Sequence, residues 1–331
     1  MKLTINDIAK LANVSKTTVS RFLNNKYEFM SNETKNRIQN VITKTNYKPN
    51  YLARSLKTRK AKIIGCTIAD MQNQFSSFIF KGISEVCTKK GYHVLVTEVK
   101  DSEKEAIKSL LSYNIDGLII NTIGGNDKYL KDLAAKKTTP IVLADRNIKY
   151  ENTIDTVTCD NYNATYKCMQ YLNDQGFTNV AFFTSNMKNN SVKKLRYSAF
   201  CDAIKKIFKK DPKNLTFIDE FNLKEFIKKY RNSNTAIFCV NGSILLEVLN
   251  KVNDLGLSLK KEKIGICSFD DWGWQEFLDI TTIKQNSYKC GIMCANLLFE
   301  RLENMDKKIE YIEIKTKLIK RSSTKLWKIY Y

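Results

Sequence analysis

The chain has 331 residues, 43% of them hydrophobic, with 55 Lys and Arg against 34 Asp and Glu for a net charge of +21. That hydrophobic share excludes a disordered chain, and the length suggests two or three domains. No apolar run approaches the roughly 20 residues that span a bilayer, so the reading is a cytoplasmic protein with no membrane partner.

The charge is unevenly spread. Residues 1–60 hold nine Lys and four Arg against Asp7, Glu28 and Glu33, so they carry +10 of the +21. Nearly half the excess in under a fifth of the chain points to a nucleic-acid-binding end rather than a generally basic protein. Nine cysteines occur without CxxC pairs, and His93 is the one histidine. Cys290 and Cys294 lie four apart on an expected helix, but no second pair completes a zinc site. The cysteines read as buried thiols of a reducing cytosol, and no metal or cofactor is expected.

The opening MKLTINDIAK is amphipathic, unlike the apolar run of a signal peptide. Thr4 is a plausible N-cap for a short helix whose Ile5, Ile8, Ala9 and Ala12 share one side. Asn13 follows as a turn residue able to take the left-handed conformation, and Val14 can fill the angle between helices. Ser15 then caps a second helix with Val19 and Phe22 at helical spacing, Asn24 and Asn25 break it, and Ser31 caps a third through Ile38, Val41 and Ile42. Two short helices joined by a tight turn match a helix-turn-helix, whose second helix points its early residues at base edges. Lys16, Thr17 and Arg21 project outward from that helix. Arg and Lys suit the guanine acceptor pair, and Thr a thymine methyl or a phosphate. On an isolated bundle these would be solvated charges; the complete arrangement favours DNA.

The run TINDIAKLANVSKTTVSRFLN, followed by NYKPNYLARSLKT, resembles the head and hinge of lactose-repressor-type transcription regulators, nearly continuously from Thr4 to Thr58. The resemblance implies DNA contacts at Thr4, Ser15, Lys16, Thr17, Thr18, Ser20, Arg21 and Asn24. It also implies a hinge helix over residues 50–57 that folds on operator DNA, with Asn50 at its start, Ala53 letting two such helices pack closely and Leu56 entering the minor groove as a wedge. An apolar wedge unstacks a base step and bends the duplex, and Pro49 would separate the third helix from the hinge.

From Ala61 the pattern changes to strands alternating with helices. Residues 62–68 (KIIGCTI), 92–98, 116–121 (DGLIIN) and 140–145 (PIVLAD) read as buried strands, and 75–90, 102–113 and 128–136 as the helices between them. A second series follows: helix 164–175, strand 179–184, helix 193–206, and strands 216–218, 235–240 and 263–269. This βα repetition predicts doubly wound parallel sheets in two α/β subdomains facing each other across a cleft. Ligands in such folds sit outside the carboxyl ends of strands. Those ends carry Asp70, Asn121, Asp145 with Arg146, Asn241, Asp270 and Trp272. Carboxylates and amides hold hydroxyl pairs, Phe75 and Trp272 offer aromatic faces, and Arg suits a carboxylate. Singly each could equally be a turn or a cap; convergence on one cleft would make a site.

The resemblance extends over the whole chain, with landmarks at LARSLKT, VLADR, LRYSAF, FDDW and TTIKQ. It implies a periplasmic-binding-protein-like effector domain that dimerises, divided as residues 61–159 with 288–316 and 160–287 with 317–331, behind a head at 1–48 and a linker at 49–60. By motif position Arg196 and Asp270 would hold the effector and Asn241 would line the cleft. Many relatives follow that Asn with Asp, where this chain has Gly242; after TTIKQ relatives often have Pro, where it has Asn286. FDDWGW is similar to regulators answering to sugar acids such as ketodeoxygluconate.

The expected function is a DNA-binding transcriptional regulator, a repressor by preference, binding double-stranded palindromic operator DNA as a homodimer and tuned by a small sugar or sugar-acid effector. A carbohydrate-binding protein without DNA regulation is the alternative. An enzyme is disfavoured, since no G-x-G-x-x-G, P-loop or G-x-S-x-G motif occurs and His93 sits inside a strand pattern. No catalytic residue is assigned.

Overall fold

The computed structural model describes residues 3–48, 60–150, 152–219 and 221–326, in two compact units, Met1–Ala61 and Lys62–Tyr331.

In the first unit α1 (Ile5–Leu11), α2 (Lys16–Leu23) and α3 (Asn32–Thr45) form a small bundle, with a 3-10 turn at Tyr27–Phe29. Each helix starts on the residue whose side chain satisfies its first free amides. Thr4 and Asp7 close a capping box on α1, while Ser15 accepts from Thr18 N and Ser31 from Thr34 N. The chain turns at Asn13, Asn25 and Asn46, which take φ of 50°, 57° and 47°. The first glycine of the chain is Gly65, so asparagine supplies every left-handed turn among the described residues of the head. Ile8, Ala12, Val19, Phe22 and Ile38 form the core, with Val14 packed partly against it.

In the second unit the chain first lays down β1 (Ile63–Ile68), α4 (Gln74–Lys89), β2 (His93–Glu98), α5 (Glu103–Ser112), β3 (Gly117–Ile120), α6 (Asp127–Ala135), β4 (Ile141–Ala144) and β5 (Asp155–Cys159). It crosses to a second series: α7 (Asn161–Asp174), β6 (Asn179–Thr184), α8 (Ser191–Lys206), β7 (Thr216–Ile218), α9 (Leu223–Tyr230), β8 (Thr235–Cys239), α10 (Gly242–Asp254), β9 (Ile264–Phe269), α11 (Trp274–Phe277) and β10 (Thr281–Lys284). It returns through α12 (Ser287–Glu303) and β11 (Tyr311–Ile314), then crosses a third time to β12 (Lys317–Ile319). The sheets run β11-β5-β4-β3-β1-β2 and β12-β10-β9-β8-β6-β7, parallel throughout except where β12 meets β10. The two doubly wound lobes expected from the βα repetition are present.

The lobes repeat one plan down to single hydrogen bonds. After β4, Asp145 N donates to Val157 O of β5 at 2.8 Å; after β9, Asp270 N donates to Ile283 O of β10 at 3.0 Å. Both aspartates are left-handed, with φ of 71° and 75°, and both strand ends open toward the cleft.

Several elements lay outside the sequence pattern. In β5 Asp155, Thr156 and Thr158 are buried, so an apolar run is absent because polar side chains are satisfied inside: Asp155 takes two bonds from Arg301, both 2.9 Å. Helices α9, α10 and α11 and strands β10 to β12 carry no comparable pattern, and α7 begins at Asn161, three residues before the apolar pattern does, because Asp160 caps it. Cys290 and Cys294 lie on α12 as expected, their thiols donating to Val157 O and Leu143 O. Eight of the nine cysteines are buried, and burial pushes the Cys87 thiol up to about 11.

Helices α4 and α12 cross at two glycines. A Cβ on Gly291 would lie 2.0 Å from Ile79 O, and one on Gly82 2.3 Å from Tyr288 O. Gly291→Ala forces these backbones apart and is expected to destabilise the second unit by about 1–3 kcal/mol, read as a lower melting temperature in calorimetry.

Candidate functional site

The surface of α2 is divided by task. Ser15 Oγ accepts from Thr18 N at 3.1 Å and meets Thr18 Oγ1 at 2.9 Å, and Thr4 Oγ1 donates to Asp7 at 2.7 Å. These side chains are committed to helix starts. Asn24 ends α2, its amide donating to Ser20 O at 2.6 Å, and Ser20 itself is half-buried. Lys16, Thr17 and Arg21 are exposed, and the Arg21 guanidinium lies 4.9 Å from the centre of the Phe29 ring, which holds the long side chain over the helix surface. Candidate contacts Asn50, Ala53 and Leu56 lie outside the described residues.

In the second unit the strand ends surround a pocket partly open to solvent. Six of the expected effector residues line it together: Phe75, Asn121, Arg146, Arg196, Asn241 and Asp270. The structure does not bring Asp70 there. Its carboxylate accepts from Gln72 N at 2.9 Å and Asn73 N at 3.3 Å, capping the turn into α4, the ordinary use of an Asp after a strand. Trp272 is not part of the lining either. Its ring lies against Gly242, where a Cβ would come within 2.7 Å of it; an Asp at 242 would collide with this ring, so Gly and Trp complement each other in this chain.

Asp145, one of the strand-end candidates, lines the cavity as well, and sequence reasoning missed Asn73, Ser76, Asn190, Val192, Lys193 and Gln285. Gln285 closes the TTIKQ landmark. Lys193 gave no signal, because a lysine in the first turn of a helix looks solvated.

Arg196 is the most constrained of the group, 3% exposed. Its Nε donates to Asn161 Oδ1 at 2.8 Å, one terminal nitrogen to Val240 O at 2.7 Å and the other to Gln285 Oε1 at 3.1 Å, with the Phe269 ring 3.6 Å below. Gln285 passes the constraint on, its amide donating to Asp270 at 2.6 Å, and Asp270 accepts Gly242 N at 2.8 Å. Asn161 and Gln285 stand where the chain passes between lobes, so Arg196 ties two of the three crossings to the cleft wall. Burial disfavours its charge, while Asp270 and Asp145 support it.

On the opposite wall Asn121 accepts Ala69 N at 3.1 Å and donates to Ala144 O at 3.1 Å, which joins the ends of β1, β3 and β4. Arg146 donates to Thr122 O at 2.9 Å. Burial pushes the Asp145 carboxyl above its usual range, with Arg146 and Arg196 opposing and Asp270 adding. Its Oδ1 and the Arg146 Nε are buried without hydrogen-bond partners. Unsatisfied donor and acceptor atoms on one cavity wall suit a polar ligand that supplies both.

A helix-turn-helix head on a two-lobed α/β domain with a charged cleft defines a DNA-binding regulator with a small-molecule site. Residues 4–50 match the model for bacterial regulatory proteins of the lacI family, and residues 61–322 match that for periplasmic binding proteins and the sugar-binding domain of the same family. The chain is 33% identical to the HTH-type transcriptional regulator KdgR of Bacillus subtilis over 97% of each chain, and 30% identical to the regulator PtxS of Pseudomonas aeruginosa over 98% of this chain and 96% of that one. A lac repressor dimer bound to operator and an anti-inducer shares its fold, with a TM-score of 0.80 at 21% identity, covering 98% of this chain and 100% of that one. The chain belongs to the lacI family. It is a transcriptional regulator and not an enzyme, which removes the alternative of a carbohydrate-binding protein without DNA regulation. Among the described residues no helix is long and apolar enough to cross a membrane.

Because the Arg196 donors are engaged with protein acceptors, Arg196→Ala leaves Val240 O, Asn161 and Gln285 unsatisfied in a buried hole. It is expected to cost about 1–3 kcal/mol of stability in the second unit, so a lost effector response in that variant would accompany a lower melting temperature. An unchanged melting temperature would show that these bonds do not hold the wall.

Proposed function

We propose that the protein is a dimeric repressor of the cytoplasm that binds a palindromic operator through two helix-turn-helix heads and is tuned by a small sugar acid, of the ketodeoxygluconate kind, held between the lobes. The observation that carries this reading is the cleft chemistry. Arg146, Lys193 and Arg196 line one cavity with Asp145, Asp270, Asn121 and Asn241, so cations for a carboxylate stand beside amides and carboxylates for hydroxyls. A neutral sugar would leave a cationic subsite unmatched.

On the DNA side, Lys16, Thr17 and Arg21 are the proposed base- and phosphate-reading residues, since they are the exposed ones on α2. Thr4, Ser15, Thr18, Ser20 and Asn24 hold the ends and flank of the helices, and their proposed contribution is to fix the reading helix on the phosphates. Asn50, Ala53 and Leu56 are proposed as the hinge, Leu56 as its minor-groove wedge. Two heads related by a two-fold axis match two half-sites. The effector acts by preferring one arrangement of the lobes, and a few kcal/mol of preference suffices.

Arg21→Ala is expected to weaken binding to the operator by about 1–3 kcal/mol while changing binding to unrelated duplex far less; equal losses on both would make Arg21 a phosphate contact only. In a thermal-shift screen of the full chain, 2-keto-3-deoxy-D-gluconate or another sugar acid should raise the melting temperature by linkage. Stabilisation by neutral sugars alone would overturn the sugar-acid reading, and a stronger effect of D-glucose 6-phosphate would move it from carboxylate to phosphate.

A further inference from the structure

Three cations line the cleft, and they are not equivalent. Arg196 is engaged by Asn161, Val240 O and Gln285 and braces its own lobe. Arg146 follows β4 in the first lobe; it spends one donor on Thr122 O, and its Nε is buried with no hydrogen-bond partner. The nearest carboxylate oxygen, on Asp145, stands 3.9 Å from that nitrogen, beyond hydrogen-bond reach. Lys193 enters the same cavity from the first turn of α8 in the second lobe, and its ammonium donates to a neutral hydroxyl, Ser185 Oγ.

We propose that Arg146 and Lys193 form the carboxylate-binding end of the cleft, one cation from each lobe, and that a carboxylate held between them draws the lobes together. This rests on the sugar-acid reading above and deepens it, making Lys193 the residue that selects for negative charge. Burial pulls the Lys193 ammonium below its usual pKa; Arg146 and Arg196 add to that effect, and Asp219 opposes it.

The same edge of the cleft carries contacts between the lobes. Asn147 N, one residue beyond Arg146, donates to Ser191 Oγ at 3.0 Å. Gly124, with φ of 84°, lies so close to the second lobe that a Cβ there would fall 1.7 Å from Asn189 O. Both contacts reach the 189–191 segment, immediately before Lys193. A carboxylate bridging Arg146 and Lys193 would thus act at the edge where closure is made, so that recognising charge and closing the cleft are one event.

The test uses the full chain with 2-keto-3-deoxy-D-gluconate as the acid and D-glucose as the uncharged probe, by calorimetry and by hydrogen exchange at the Asn147 amide. The wild type should bind the acid and slow that exchange. Lys193→Met keeps the apolar stem but loses the charge, and should bind the acid about 30-fold more weakly, the scale of one charged hydrogen bond, without slowing the exchange at equal occupancy. Lys193→Arg should restore both to within about threefold. Acid affinity of Lys193→Met within twofold of wild type, or Asn147 exchange slowed equally in both, overturns the proposal while leaving the sugar-acid reading intact. A wild type that takes D-glucose and ignores the acid overturns that reading, and the proposal with it.

Discussion

The guanidinium of Arg196 is the point on which the cleft's geometry depends. It is taken out of water, where an unpaired cation would be costly, and the bonds that compensate it reach residues at two of the crossings between lobes. Asn161 begins the first helix after β5, and Gln285 ends the segment leading back to α12. The third bond fixes the end of β8 through Val240 O, and Gln285 fixes Asp270. One buried charge thereby sets the position of the cleft floor, the strand end that faces it and the two segments that must bend when the lobes move.

Around that point the parallel sheets supply the rest. Each strand that ends at the cleft leaves backbone groups without sheet partners, and the chain answers in the same way in both lobes, with a left-handed aspartate whose amide reaches the neighbouring strand. The carboxylates of those two residues then line a common space. The repetition of Asp145 and Asp270, down to one shared hydrogen bond, is why a single cavity presents similar chemistry from two sides.

Much of this was legible in the sequence, and the reasons are local. Thr4, Ser15 and Ser31 were readable as caps because a helix start is satisfied within three residues. Asn13 and Asn25 were readable as turns because their backbone preference is their own. The strand ends were readable because parallel strands are apolar runs that stop abruptly. What failed was information held by distant partners. β5 was invisible because its buried polar groups are satisfied by residues such as Arg301, nearly 150 positions away. Asp70 after β1 and Asp145 after β4 look alike in sequence, yet one caps a turn and the other lines the cleft. Lys193 had no mark at all, since only the opposing lobe turns a helix-start lysine into part of a cavity wall. Gly242 answers to Trp272, thirty positions on, whose ring fills the space an Asp side chain would need.

The central claim is that an anionic ligand in the cleft changes how tightly the heads hold DNA. Fluorescence anisotropy of a labelled palindromic operator, titrated with the full-length protein in the presence and absence of saturating 2-keto-3-deoxy-D-gluconate at fixed salt, tests it most directly. The account predicts an operator affinity shifted at least about fivefold by the acid and unmoved by D-glucose. Identical binding curves with and without a sugar acid that is shown to occupy the cleft would contradict it.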